Sequence, residues 1–191
     1  MILIPSFTKK ILDKIPLITC QLVGVALAWV VLYKLNMWLF KGLEVNPFVS
    51  WVFLPAFIRV LSILVFGWVG VFGLIVGALI TSQPAIIGES AAIILALISG
   101  LAPMIAVSLC VYLLKLPPTL SGIRPSHLFI FAIVGSLVDV CFHALCFIMH
   151  EMPSNLVAHL MPMLVGDTIG TIAMLYLASM IIKASVKMAS K

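Results

Sequence analysis

Apolar residues fill the chain in long runs, and short polar stretches separate each run from the next. A helix that crosses the hydrocarbon core of a bilayer needs about 20 residues that are mostly apolar. The pattern predicts membrane-spanning helices at about 16–40, 51–66, 68–82, 85–114, 127–150 and 162–182. No internal repeat divides the chain. We therefore expect residues 1–191 to form one all-α domain, a polytopic transmembrane helix bundle of six spans.

The segment from Trp51 to Ser82 decides how many spans are counted. It stays apolar for longer than one span requires, and a tight break is plausible between Gly67 and Gly70. Two short helices give six spans with both termini on one side, whereas one long helix gives five spans and opposite sides. The Gly73–Gly77 spacing also predicts close approach of a neighbouring helix.

Basic residues favour the six-span count. They lie before the first span, after the fourth and after the last: Lys9, Lys10, Lys14, Lys115, Arg124, Lys183, Lys187 and Lys191. Lys and Arg in short loops are retained on the cytoplasmic side. Six spans place all three groups there, so both termini are predicted to be cytoplasmic in a bacterial inner membrane. This placement explains the net charge of +5, and we expect no nucleic-acid partner.

Composition narrows the class of protein further. Hydrophobic residues make up 64% of the chain and charged residues 9%, with a mean hydropathy of +1.32. A soluble domain carries about 25% charged residues. The lipid bilayer is therefore the expected surrounding of most of the chain. No nucleophile elbow, HExxH or CxxC is present, so we do not expect an enzyme.

Ionisable side chains inside apolar spans are the candidate functional residues, because burying them in lipid is expensive. They are Arg59, Glu89, Asp139, His143, His150 and Asp167. The topology places Glu89, His150 and Asp167 in the outer half of the bundle, with Arg59 and His143 somewhat deeper. We predict that they line an outward-facing polar cavity that binds a small molecule or an ion.

The fifth span carries the clearest pattern. Asp139, His143, Cys146 and His150 are spaced by four, three and four residues, which places them on one face of a helix. Lipid cannot satisfy that face, so it should point into the bundle.

Several roles stay open for these side chains. Arg59 could clamp an anionic ligand, and His143 with Asp139 could relay protons. The same groups could instead be structural pairs that fix helix packing. The donor set is mixed and contains no HxH or HxxxH spacing, so we predict no metal site, and the sequence names no cofactor.

Two segments resemble the membrane-associated sensor domains of bacterial diguanylate cyclases and histidine kinases. The first runs from Trp51-Val-Phe-Leu-Pro55-Ala56 to Gly67 and continues into the Gly-rich helix after it. The second is Gly166-Asp167-Thr-Ile-Gly170, similar to the family's Gly-Asp-x-x-Gly motif. The resemblance implies that Pro55, Ala56, Gly166, Asp167 and Gly170 belong to the family's characteristic positions.

This sequence departs from the family pattern at Phe57, where the family has glycine, and family domains usually have about eight helices. The chain also lacks an output domain, so the resemblance implies signalling through a separate membrane or cytoplasmic protein partner. The length and helix count are also similar to substrate-binding subunits of energy-coupling-factor transporters. A transport role and an accessory role in a membrane complex therefore remain as alternatives.

Overall fold

A computed structural model describes residues 14–46, 49–117, 124–150 and 155–189, without the side chains of residues 46, 179 and 181–189. Within these ranges the chain is all-α apart from one short β-hairpin. The helices are α1 (Ile15–Leu39), α2 (Pro55–Phe66), α3 (Trp68–Thr81), α4 (Pro84–Ile87), α5 (Glu89–Leu113), α6 (Pro125–Met149) and α7 (Leu156–Ala189). The strands are β1 (Glu44–Asn46) and β2 (Val49–Ser50), which pair antiparallel.

Four of the described helices are long and apolar enough to cross a membrane, as expected of a membrane protein. They are α1, α5, α6 and the Leu156–Ala178 part of α7. The helices α2 and α3 are also apolar but have only 12 and 14 residues. Both are shorter than the roughly 20 residues of a usual span.

The helices α2 and α3 form a tight hairpin, with the break where the sequence predicted it. Gly67 joins them with a φ of 54°, a backbone conformation that residues other than glycine rarely adopt. At Gly70, a Cβ would overlap the backbone carbonyl oxygen of Ser62. The two short helices can therefore pack closely from their first turns onward.

The predicted packing role of the Gly73–Gly77 pair is confirmed. A Cβ on Gly73 would lie 2.7 Å from the Cβ of Val25, and one on Gly77 would lie 2.8 Å from that of Trp29. Small residues at this spacing let α3 lie directly on α1. The Trp29 indole also donates a hydrogen bond of 2.9 Å to the Thr81 hydroxyl.

The predicted helix start at residue 51 was wrong, because residues 51–54 are not helical and α2 begins at Pro55. The Phe53 amide donates a 3.1 Å hydrogen bond to the Gly166 carbonyl of α7. The Leu54 amide donates one of 2.8 Å to the side chain of Asn36 in α1. These partners hold the segment across the bundle, and Pro55 is well suited to the first turn of the helix that follows.

Two other predicted boundaries differ from the structure. The span predicted at 85–114 is divided at Gly88, whose φ is 87°, into α4 and α5. The last helix begins at Leu156 instead of residue 162 and continues through Pro162. Asn155 explains the earlier start, because its side chain accepts a 3.1 Å hydrogen bond from the Ala158 amide as a helix cap does.

Candidate functional site

A buried cluster of charged side chains joins α2, α6 and α7. The Arg59 Nη1 atom lies 2.6 Å from the Asp139 Oδ2 atom and 2.9 Å from the Asp167 Oδ2 atom. The exposed fractions of the three residues are 6%, 2% and 2%. Because both carboxylates bind the same nitrogen, they lie within a few ångströms of each other.

Two aromatic rings cover the guanidinium group of Arg59. Its central carbon lies 5.3 Å from the ring centroid of Trp29 in α1 and 5.3 Å from that of Phe53. A guanidinium at this distance is attracted to the electron-rich face of the ring. Arg59 is therefore held on one side by carboxylates and on another by rings.

His143 lies one helical turn after Asp139 and completes the cluster. Its Nδ1 atom lies 2.9 Å from the Asp139 backbone oxygen and 3.3 Å from the Asp139 Oδ2 atom. A proton on Nδ1 satisfies both oxygens, which fixes the ring without requiring a positive charge on it. His143 thereby orients the carboxylate that binds Arg59.

Two glycines explain why the cluster can form where the sequence places it. A Cβ on Gly166 would overlap the Ser50 carbonyl oxygen, and a Cβ on Gly170 would overlap that of Phe53. The segment before α2 thus lies directly on the α7 backbone, on either side of Asp167. This crossing places Arg59, one turn into α2, beside that carboxylate.

The cluster contains more negative than positive formal charge. Asp139 and Asp167 contribute two carboxylates, and Arg59 contributes one guanidinium. Within the described part of the chain, the Arg59 Nε and Asp139 Oδ1 atoms are buried without a hydrogen-bond partner. Buried polar groups are usually satisfied by protein or ordered water. This cluster therefore has capacity for a further partner.

Arg59 borders three cavities among the described residues. The largest, about 90 Å³, is lined by four aromatic side chains together with His143. A second, about 30 Å³, lies between His143 and Asp167. The third, about 10 Å³, lies beside Asp139. One water occupies about 30 Å³ in the liquid, so the largest cavity has room for a few waters or a small ligand.

The structure brings together four of the six ionisable residues singled out from the sequence: Arg59, Asp139, His143 and Asp167. Glu89 does not join them, because it is exposed at the first position of α5. His150 lies at the end of α6, where its Nε2 atom is 3.5 Å from the Ser90 hydroxyl. Both fall near helix ends, where the side chain can reach water without entering the bundle.

The family-like positions have structural roles around the cluster. Pro55 and Ala56 are buried in the first turn of α2. Gly166 and Gly170 provide the crossing described above. Close packing is therefore sufficient to explain the two glycines, and burial is consistent with the small side chain at Ala56.

Sequence reasoning missed three residues that shape the site: Trp29, Phe53 and Asn36. Asn36 carried a usable signal, since it is an isolated amide in an apolar span and is only 2% exposed. Trp29 and Phe53 carried none, because an aromatic residue in such a span looks the same whether it covers a charge or packs in the core.

The chemistry open to the cluster is binding of a cation or a proton. The Arg59 group is already paired with two carboxylates, so it is poorly placed to clamp an anion. Among the described residues, no group of three or more His, Cys, Asp or Glu side chains is arranged to hold a metal ion.

Comparison with models of known protein families gives no match, and neither does comparison with curated proteins or with solved structures. The resemblance to membrane-associated sensor domains therefore stays a prediction from the sequence.

Proposed function

We propose that this chain is a sensor-like integral membrane protein that binds a small cationic ligand or an inorganic cation beside the Arg59–Asp139–Asp167–His143 cluster. The observation that supports the proposal is the pairing of two buried carboxylates with one guanidinium nitrogen. An uncompensated negative charge away from water is strongly unfavourable. A cation next to the cluster would balance it.

The neighbouring cavity has room for such a ligand. At about 90 Å³ it can hold a partly hydrated alkali ion or a small amine against its aromatic walls, and Arg59 and His143 border it. Asp167 borders both smaller cavities, and Asp139 borders one of them. Ser82 and Ile87 form part of the wall of the largest cavity. Both belong to the connection between α3 and α5, which the six-span topology places on the outer side. Entry from that side follows.

The proposal includes six crossings with both termini in the cytoplasm of a bacterial cell. The short lengths of α2 and α3 leave two arrangements, a pair of short crossings or a hairpin that enters and leaves on the same side. Both return the chain to the side from which α2 began. The basic residues before α1, after α5 and at the C-terminal end of α7 therefore share one side in either arrangement.

Cation binding is tested on the full chain, purified in detergent and kept in a buffer poor in small cations. The thermal midpoint is measured while sodium, potassium, ammonium, methylammonium or choline is added. A ligand at 100 times its Kd should stabilise the folded state by about 2.7 kcal/mol. Asp139→Asn and Asp167→Asn should lose the shift, and the exposed Glu89→Gln should retain it. An unchanged midpoint with all five cations would reject the proposal.

A substrate-binding subunit of a transporter is the second candidate, supported by the outward cavity and the helix count. Vesicles containing the protein distinguish the two functions. Binding without accumulation favours sensing, whereas accumulation that depends on an added ATPase favours transport. If the variants at Asp139 and Asp167 alter only assembly with other membrane proteins, the accessory role replaces both.

A further inference from the structure

We infer that Asp139 and Asp167 together hold one exchangeable proton when no cation is bound. The inference deepens the proposed function, because it identifies what occupies the same cluster at rest. It rests on the geometry of the charges, and it predicts that a proton and a cation compete for one site.

Two carboxylates share one guanidinium group in this cluster. One guanidinium can balance one carboxylate, and both carboxylates lie within hydrogen-bonding distance of the same Arg59 atom. Two carboxylates so close together do not both stay ionised in a poorly solvated site. One proton removes their mutual repulsion and leaves a neutral cluster.

Few other groups around the cluster can hold a proton. Among the described residues that border the cavity beside Arg59 and His143, α1 contributes Trp29 and Tyr33, and α5 contributes Ser99. From α7, the hydroxyl of Thr171 borders the same small cavity as Asp139 and Asp167. Of these groups, only the phenol of Tyr33 titrates, and it is neutral at ordinary pH. His143 is therefore the one other group that could hold the proton.

The geometry favours the carboxyl pair over His143. The imidazole contacts the backbone oxygen of Asp139 more closely than its carboxylate, at 2.9 Å against 3.3 Å. It also shares two cavities with Arg59, so a charged imidazole would add a second cation beside the guanidinium. A proton on the carboxyl pair places no new positive charge beside Arg59. His143 then serves as the route by which this proton exchanges with water in the 90 Å³ cavity, called the outer cavity below.

The exchange balances in charge and atoms. The O–H bond of the protonated carboxyl breaks, and the proton passes by His143 to water in the outer cavity. The carboxylate left behind is compensated by one incoming cation. One proton leaves for each monovalent cation bound.

Infrared difference spectroscopy on the full chain tests the inference. A protonated carboxyl has its own C=O stretch, and the chain contains only six Asp and Glu side chains. We expect the band at neutral pH in a cation-poor buffer. It should vanish in Asp139→Asn and also in Asp167→Asn, since either variant leaves one carboxylate matched to Arg59. Glu89→Gln should keep it. A band that persists in either single variant, or is missing from the unaltered protein, overturns the inference.

Proton release on unfolding provides a measurement that does not depend on the variants. The unfolded chain keeps both carboxyls ionised at neutral pH, so unfolding the unaltered protein should release one proton per molecule to a pH indicator. Release of none overturns the inference. His143→Asn should keep the infrared band but slow its shift in heavy water. A band that appears in His143→Asn but not in the unaltered protein would assign the proton to the imidazole instead.

The two proposals can fail separately. A carboxyl band with no effect of any cation rejects the cation ligand and retains the proton. A thermal midpoint that depends on a cation, without the carboxyl band, rejects the shared proton and retains the cation ligand.

Discussion

The interface between α1 and α3 and the interface of α2 with α6 and α7 lie side by side, and different forces hold them. In the first, Gly73 and Gly77 bring backbones together against Val25 and Trp29. In the second, a guanidinium joins carboxylates from two helices. Among the described residues, the contacts of Gly73 and Gly77 involve no charged group, whereas the second interface depends on several.

This difference teaches what each interface can respond to. In lipid, apolar side chains gain little by leaving one hydrocarbon surface for another, so close glycine packing is a stable default. Its strength does not change with pH or with ions. Under the proposed function, the charged interface would change with both, because its charge balance would depend on what occupies the cluster. The bundle would then combine an interface that is insensitive to pH and ions with one that responds to them.

The largest effect is expected from Arg59→Met. It leaves two buried carboxylates without their cation, and removing one partner of a buried ion pair typically costs about 3–5 kcal/mol. The free energy of unfolding in detergent measures the loss. The loss should shrink at acidic pH, where both carboxyls can be protonated. A matched triple variant, Arg59→Met with Asp139→Leu and Asp167→Leu, should recover most of the stability. If Arg59→Met alone is as stable as the unaltered chain, the charged interface does not contribute to the free energy of unfolding.

The pH dependence of stability should come from the charged interface alone. The folded chain binds one proton more than the unfolded chain at neutral pH, so its stability falls as pH rises, by about 1.4 kcal/mol per unit. The fall ends once the folded cluster has also lost its proton. Asp167→Asn should flatten this slope, and Gly77→Ala should leave it unchanged. Equal slopes in all three proteins would contradict the comparison.

Adding one methyl group at each interface should separate packing from ligand binding. Gly170→Ala and Gly73→Ala both overfill a close contact and should each cost about 1–3 kcal/mol. Gly24→Ala is the control, since nothing lies within 4 Å of its Cβ position. Gly170→Ala should also weaken cation binding, because it displaces Phe53 from the α7 backbone. An equal loss of binding in Gly73→Ala, which packs on Val25, would show that the interfaces are not independent.

A loss of stability of the same order is expected from Asn36→Leu. The variant removes the acceptor of the Leu54 amide, which lies at the start of α2. A buried donor left without a partner costs about 1–3 kcal/mol. Gln21→Leu is the comparison, since Gln21 lies half-buried in the same helix. Thermal unfolding of both variants measures the difference, and equal midpoints would mean that another group takes over the Leu54 amide.

The smallest effect is expected from Glu89→Gln. Its side chain is exposed, and exposed substitutions usually change stability by less than about 0.5 kcal/mol. Thermal unfolding and cation binding should both match the unaltered chain. A clear loss of binding would return Glu89 to the site that the sequence first suggested.

Much of this arrangement could be predicted from local pattern. The helical stripe of Asp139 and His143 followed from spacing, and the break at Gly67 followed from the length of the apolar run. The expectation that Asp139 and His143 lie near Asp167 followed from the cost of placing ionisable groups in lipid. Glu89 does not join them, because it is exposed at a helix end, where the cost of burying an ionisable group does not apply.

The rest could not be predicted, because it depends on contacts between distant parts of the chain. Phe53 binds the backbone of Gly166, more than a hundred residues later, and periodicity gives no information at that range. The start predicted for α2, residue 51, was therefore wrong. The positions of Trp29 and Phe53 over the guanidinium could not be predicted either.

The short path from the β-hairpin to the buried charge has a mechanical consequence. Ser50 ends β2, and three residues later Phe53 lies against Arg59 while its amide is tied to α7. Because only two residues separate Ser50 from Phe53, a displacement of the hairpin would move this ring relative to the guanidinium.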